Sequence, residues 1–375
     1  PFLLDFFDLP ADQFQLYLLG SVVTARFATG LAALHGFVVT LLVASAVLKK
    51  LRWHRMMQAI GVHLAITFGV MIATGFALKS LIPYKYEGVQ TFEAMKPMNA
   101  SVSIAQYQTL DPLGYFEQQQ PRLEVILARK SMRVGYYDAS LPYAFKNKDG
   151  QLVGFDVELL NQLAKDLNIS LSFIKINNKA DEAELLADGS IDITIGGHAI
   201  TPVRALDVAF SDSYTFHTAG LIVSDAKRDE FSELYTIQAM KKLNLGVGNS
   251  NYYQGLVKAE FPNAELTQVT NIRQFLKGNY EGVDAVIYST EAGSAWAMLY
   301  PNFSAIVPKG LKLRAPVAFV LPKGQLDYVQ YINTWLELKK ENGFQESVYD
   351  YWILGENPKA IKPRWSVMKD VLGWL

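Results

Sequence analysis

Two apolar runs dominate the start of the chain. Phe27–Leu48 is 22 residues without a formal charge, and Met56–Leu78 is 23 residues, again uncharged. Each is long enough to cross a hydrocarbon core of about 30 Å as a helix. A signal peptide fits poorly, because there are two runs and no clear cleavage site after the second. Between them Lys49, Lys50, Arg52 and Arg55 crowd one short loop. The positive-inside rule makes that loop cytoplasmic and places everything after Pro83 outside the cytoplasm. Phe14–Ala25 is apolar but only as long as a re-entrant segment, and it leads into Arg26. That arginine is either an intramembrane functional group or a marker of the outer interface.

The pattern then changes twice. Residues 84–121 hold Pro97, Pro112, Pro121 and a glutamine run, without sustained periodicity. They read as an extracytoplasmic connector with one short helix near Val102–Leu110. From Met132 onward, short β-rich runs (MRVGYY, LSFIKI, IDITIGG, LNLGVG, GVDAVIYS, APVAFVL) alternate with helical stretches. One of these places Val157, Leu160, Leu163, Ala164 and Leu167 on a single stripe. Lys148-Asp149-Gly150 is a hairpin turn signal. Strands alternating with helices predict an α/β fold, with parallel sheet covered on both faces.

Composition sharpens the division. Residues 1–83 carry nine charged residues, about 11% of positions, against about 21% in the rest. The formal net charge is −1, with 35 basic and 36 acidic residues, which argues against a nucleic-acid partner. No cysteine is present, so disulfides, cysteine–zinc sites and a thiol nucleophile are excluded. No catalytic residue, metal or cofactor is assigned.

Gly154-Phe155-Asp156-Val157-Glu158-Leu159, followed by Leu163-Ala164, resembles the signature of type II periplasmic solute-binding proteins for polar amino acids and similar small anions. DGSIDITIGGHAITPVRALDVAFSDSY, GVDAVIYSTEAGSAW and INTWLELKKENGFQESVYDYWI resemble later landmarks of that family, in its order. The resemblance implies a two-lobed α/β fold over residues 122–355, with ligand in the cleft between the lobes. Lobe 1 would take about 131–217 and 316–355, and lobe 2 about 222–310. Hinge strands would lie near Phe216–Ile222 and Leu311–Ala318.

The resemblance also nominates ligand residues. Arg204 matches the arginine that clamps a ligand carboxylate in bidentate fashion; the alternative is a salt bridge to Asp207 or Asp212. Thr201 and Pro202 would start its helix. In the loop before it, the Ala199 amide can donate to a carboxylate and the Gly197 carbonyl can accept from an ammonium. His198 either reaches the ligand or faces the lobe interior. Asp138 and Tyr143 follow the first strand, at the ligand-facing end of an open sheet. Tyr143 supplies an aromatic wall; Asp138 accepts from a ligand amine or caps a turn. In lobe 2, Asn251 and Tyr252 open a helix beside Asn249 and Ser250. Ser289 stands where amino-acid binders often place an ammonium-binding Asp. Either Glu291 takes that role or the ligand lacks an amino group.

FFDLPADQFQLYLLGSVVTARFATGLAALHG resembles the last transmembrane part of dicarboxylate/amino-acid:cation symporters. With Pro, not Met, as first residue, this implies a binding domain at the tail of a fused symporter. It would sit in a bacterial cytoplasmic membrane with the domain on the periplasmic or extracellular side. The expected partners are a small carboxylate or amino-acid ligand, the lipid bilayer, and an upstream transporter domain or partner permease. Alternatives are a membrane-anchored binding protein of an ATP-driven importer, a sensor, or a dehydratase of the same fold using His198 and Glu291. Residues 356–375 place Trp365, Met368, Leu372 and other apolar residues at helical spacing, either on the bilayer surface or against the domain.

Overall fold

The computed structural model describes residues 53–81, 94–99, 101–138, 140–178, 181–248 and 250–355, with scattered helical positions between 29 and 40. The chain divides into two compact units, residues 1–87 and 88–375.

In the first unit, helix α1 spans Trp53–Leu81, 29 residues. Met57, Val62, Leu64, Ile66, Phe68 and Ile72 stand exposed along it. Among the described residues no helix is long and apolar enough to cross a membrane. The two expected spans are therefore not met there. Most of the span 27–48 falls outside the described residues. The re-entrant segment, Arg26 and the tail at 356–375 also lie outside the described residues.

The second unit is built on one continuous sheet. Strands β1 (Ile104–Tyr107), β2 (Ser131–Tyr136), β5 (Ser170–Lys175) and β6 (Ile193–Ala199) run parallel in the order β1-β5-β2-β6. Their inner residues are apolar and buried (Met132, Val134, Leu171, Phe173, Ile193, Ile195), as strands covered on both faces must be. Helix α2 (Arg122–Arg129) and helix α3 (Phe155–Leu167) supply cover. The α3 stripe buries Val157, Leu160, Leu163 and Ala164, with Phe155 and Leu159 beside them. The hairpin over Lys148–Gly150 joins two-residue strands β3 (Phe145–Lys146) and β4 (Leu152–Val153).

The second lobe holds β9 (Asn244–Val247), β10 (Glu265–Gln268), β11 (Ala285–Ser289) and β12 (Phe303–Ile306). It has its own core, with Leu221, Val223, Phe231, Leu245 and Phe261. Two long antiparallel strands join the lobes. β8 (Thr215–Ser224) pairs through Thr215–Thr218 with β13 (Arg314–Leu321), and through its remaining residues with β11 and β12. β13 continues along β6 and along the two-residue strand β7 (Ala209–Phe210). The mixed α/β, two-lobed architecture thus has both crossings woven into one sheet.

The stretch before the domain departs from the expected connector. Residues 104–107 form a strand, not part of a short helix, and add to the edge of β5. An unpaired sheet edge rewards an extended segment more than this sequence's weak helical preference does. Upstream of it, the amides of Met98 and Asn99 donate to the buried Glu158 carboxylate at 3.0 and 3.2 Å. The Val102 amide donates to Asn161 Oδ1 at 2.8 Å, and Met95 is buried in the lobe 1 core. A second polar anchor ties α2 to the sheet. Fully buried Asp192 accepts from Arg122 at 3.3 Å, from Arg129, and from the Arg133 amide at 2.8 Å.

Candidate ligand-binding site

Asp156 lies in the first turn of α3 yet points inward. Its fully buried carboxylate accepts from the amides of Gly196 and Gly197 at 2.7 and 3.0 Å, and from the Tyr214 hydroxyl at 2.8 Å. Burial pushes its pKa up to about 6, against the pull of these three hydrogen bonds. The loop it holds needs glycine. Gly196 and Gly197 have φ of 130° and 68°. A Cβ on Gly197 would lie 2.5 Å from the Tyr143 ring, and one on Gly196 2.9 Å from Ser140.

Tyr143 is itself buried, edge-on to Phe155 at 6.0 Å and 5.4 Å from the His217 ring. His198 turns inward: its Nε2 lies 3.0 Å from the Ile195 carbonyl, and its ring meets Tyr137 at 5.4 Å. The loop is therefore packed between the buried Asp156 carboxylate and the Tyr143 ring.

Arg204 follows on a single 3-10 turn, Arg204–Leu206, not on the expected helix. Its amide donates to Thr201 Oγ1 at 3.3 Å. The guanidinium pairs with Glu182 at 2.6 Å, donates to the Ala199 carbonyl at 3.3 Å, and lies 5.4 Å from the Phe210 ring centre. Its salt-bridge partner is thus Glu182, at the start of helix α4 (Glu182–Asp188), and neither Asp207 nor Asp212. The arginine side chain remains 31% exposed, so the pair is not sealed from solvent. Tyr137 is close by; burial first, then Glu182, hold its hydroxyl well above the usual range.

Asp138 stands apart. It is 59% exposed and pairs with Lys175 at 3.0 Å on the surface. On the lobe 2 side, Ser289 caps helix α6 (Thr290–Leu299), accepting from the Ala292 amide at 3.2 Å. Both carboxylate oxygens of buried Glu291 accept from the Thr218 amide, at 3.1 and 3.2 Å, while Thr290 Oγ1 donates to the Thr218 carbonyl at 2.9 Å. The start of α6 therefore grips the crossing strand β8. Burial raises Glu291 to about 7. It acts electrostatically on Tyr143 and on Tyr349, whose hydroxyl rises to about 12 through burial first and this carboxylate second.

Asn251 and Tyr252 open helix α5 (Asn251–Glu260); their side chains are not among those described. Their neighbour Tyr253 bridges the lobes by donating to the Ile200 carbonyl at 2.9 Å. Of the nominated residues, the geometry gathers Gly197, His198, Ala199 and Arg204 along β6 and its loop. Tyr143 packs against His217 of the crossing strand β8, which Glu291 holds through the Thr218 amide. Asp156, Glu182 and His217 contact nominated residues without having been nominated themselves. Among the described residues no cluster of acids and histidines could hold a metal ion.

Residues 132–355 match the model of the bacterial extracellular solute-binding proteins, family 3. The chain belongs to that family. Within the solute-binding proteins, its likeness to individual members is distant. It is 22% identical to the cyclohexadienyl dehydratase of Pseudomonas aeruginosa, over 64% of this chain and 90% of that protein. It is 25% identical to the arginine-binding periplasmic protein of Mannheimia haemolytica, over 57% and 88%. The solved structure of the ancestral amino acid-binding protein AncCDT-1, a precursor of cyclohexadienyl dehydratase, superposes with a TM-score of 0.52 at 25% identity. That match covers 61% of this chain and 98% of AncCDT-1.

Proposed function

We propose that this solute-binding domain captures an amino acid by its α-carboxylate, outside the cytoplasm, for uptake. The observation that carries the reading is Arg204, partly exposed and just beyond a loop pinned by Asp156. A guanidinium offers five N–H donors, so pairing with Glu182 and Ala199 leaves donors for a ligand carboxylate. The arginine-binding and AncCDT-1 relatives support an amino acid over a dicarboxylate. Glu291 is the acid nearest to the role of ammonium partner. Calorimetry of the full chain in detergent against the protein amino acids and C4 dicarboxylates tests this. The tightest ligand should lose tenfold or more in affinity in Arg204→Ala, and unchanged affinity would remove Arg204 as the clamp.

The membrane tether and an upstream cation symporter belong to the same proposal. They rest on the uncharged sequence of Met56–Leu78 inside a 29-residue helix with exposed apolar side chains, and on the N-terminal resemblance. Retention of the chain in carbonate-washed membranes supports the tether, and release into the wash refutes it. A partner ATP-driven importer is the other arrangement, and the reading frame upstream of Pro1 distinguishes the two.

One observation favours a second reading. Glu291 is buried and its pKa is pushed up to about 7, where a general acid is useful at neutral pH. A cyclohexadienyl dehydratase is among the relatives. Loss of water from a cyclohexadienyl compound, abolished in Glu291→Gln, would establish catalysis; binding without turnover would exclude it.

A further inference from the structure

Two of the buried polar atoms without a hydrogen-bond partner among the described residues lie on neighbouring rings. Tyr143 Oη and His217 Nε2 are shielded from solvent and lack a hydrogen-bond partner among the described residues. Their rings lie 5.4 Å apart and are tilted by 55°. They arrive from different parts of the fold, Tyr143 from lobe 1 after β2 and His217 from the crossing strand β8, opposite Ala315 of β13. Buried polar groups are almost always hydrogen-bonded, and leaving one unmet is costly. Two such atoms on neighbouring rings therefore point to a ligand group that meets both.

The character of the pair decides what that group is. Burial, and after it the nearby His198, drive the His217 pKa down to about 3, so the imidazole is uncharged at neutral pH. Burial likewise keeps the Tyr143 hydroxyl protonated. A neutral imidazole nitrogen accepts or donates according to its tautomer, and a phenol does both. The nearby carboxylate, Glu291, is engaged by the Thr218 amide. A ligand carboxylate at the pair would be buried beside that acid, and a ligand ammonium would find no charge on either ring. A group that is neutral and both donates and accepts suits the pair in either tautomer.

We infer that Tyr143 and His217 form a specificity pocket for an uncharged carboxamide on the ligand's side chain. The inference rests on the reading of the cleft as an amino-acid site. It is tested by calorimetry of the full chain in detergent at pH 7 with the twenty protein amino acids. Glutamine or asparagine should bind at least tenfold more tightly than glutamate, lysine or arginine. Tyr143→Phe removes only a hydroxyl and keeps the ring against Gly197; it should weaken the amide ligand about tenfold, as should His217→Phe. Equal or tighter binding of glutamate, lysine or arginine overturns the inference while leaving the amino-acid site intact. So does a Tyr143→Phe chain that binds the amide like the wild type. If no amino acid binds, the reading of the cleft falls and takes the pocket with it.

Discussion

Replacing Asp156 tests whether one buried carboxylate organises the site. Asp156→Ala strands three buried donors, the amides of Gly196 and Gly197 and the Tyr214 hydroxyl. An unmet buried donor costs about 1–3 kcal/mol, so the gross loss is about 3–9 kcal/mol. Relief of a strained charge offsets part of it. The carboxyl is raised from 3.8 to about 6, which at about 1.4 kcal/mol per unit is about 3 kcal/mol. The net destabilisation should be about 3 kcal/mol, read as a lower urea midpoint for the domain at pH 7, with weaker ligand binding because the loop is released. The same shift sets a pH signature. A carboxyl whose pKa is raised by folding contributes stability that is present below about pH 4 and lost as pH rises through about 6. Asp156→Asn should remove that part of the slope relative to wild type. An Asp156→Ala domain within 0.5 kcal/mol of wild type, or an Asp156→Asn profile parallel to wild type between pH 4 and 6, would refute the argument.

Three further outcomes follow from the same geometry. Glu291→Gln should flatten the wild-type loss of stability between about pH 4.5 and 7, worth at most about 3 kcal/mol, since this carboxyl too is raised by burial; urea titrations at the two ends of the window measure it. Asp192→Ala leaves two arginines without their buried partner and should destabilise the domain by about 3–5 kcal/mol, seen in thermal unfolding. Glu182→Gln should leave Arg204 freer for a ligand carboxylate and tighten binding several-fold by calorimetry; weaker binding would mean that Glu182 positions Arg204 instead of competing for it.

Much of the sheet is legible in the sequence because strands buried on both faces stand out as apolar runs. That holds for β2, β5, β6, β9, β11 and β13. β1 is not legible: Ile104-Ala105-Gln106-Tyr107 has little pattern of its own and is a strand because β5 offers it an edge. The site divides in the same way. Arg204 is conspicuous by residue type and place, whereas Glu182 lies 22 residues away at a spacing that marks nothing. Asp156 reads as an ordinary acid at a helix start, where its charge suits the helix dipole. Only the fold reveals that it turns inward to the glycine loop. His217 sits between Phe216 and Thr218 with no periodic signal, and its meaning comes from the strand crossing that buries it.

The docked segment before the domain also defines a load path. A pull on the chain from its N-terminal side enters lobe 1 through Met98, Asn99 and Val102, whose amides are held by Glu158 and Asn161. Those two residues lie on the same helix as Asp156, which fastens the Gly196–Gly197 loop. Tension on this leash therefore bears on lobe 1 and reaches the helix that holds the ligand loop. Lobe 2, held to lobe 1 by the β8 and β13 crossings and by the Tyr253 hydrogen bond to Ile200, lies off this path.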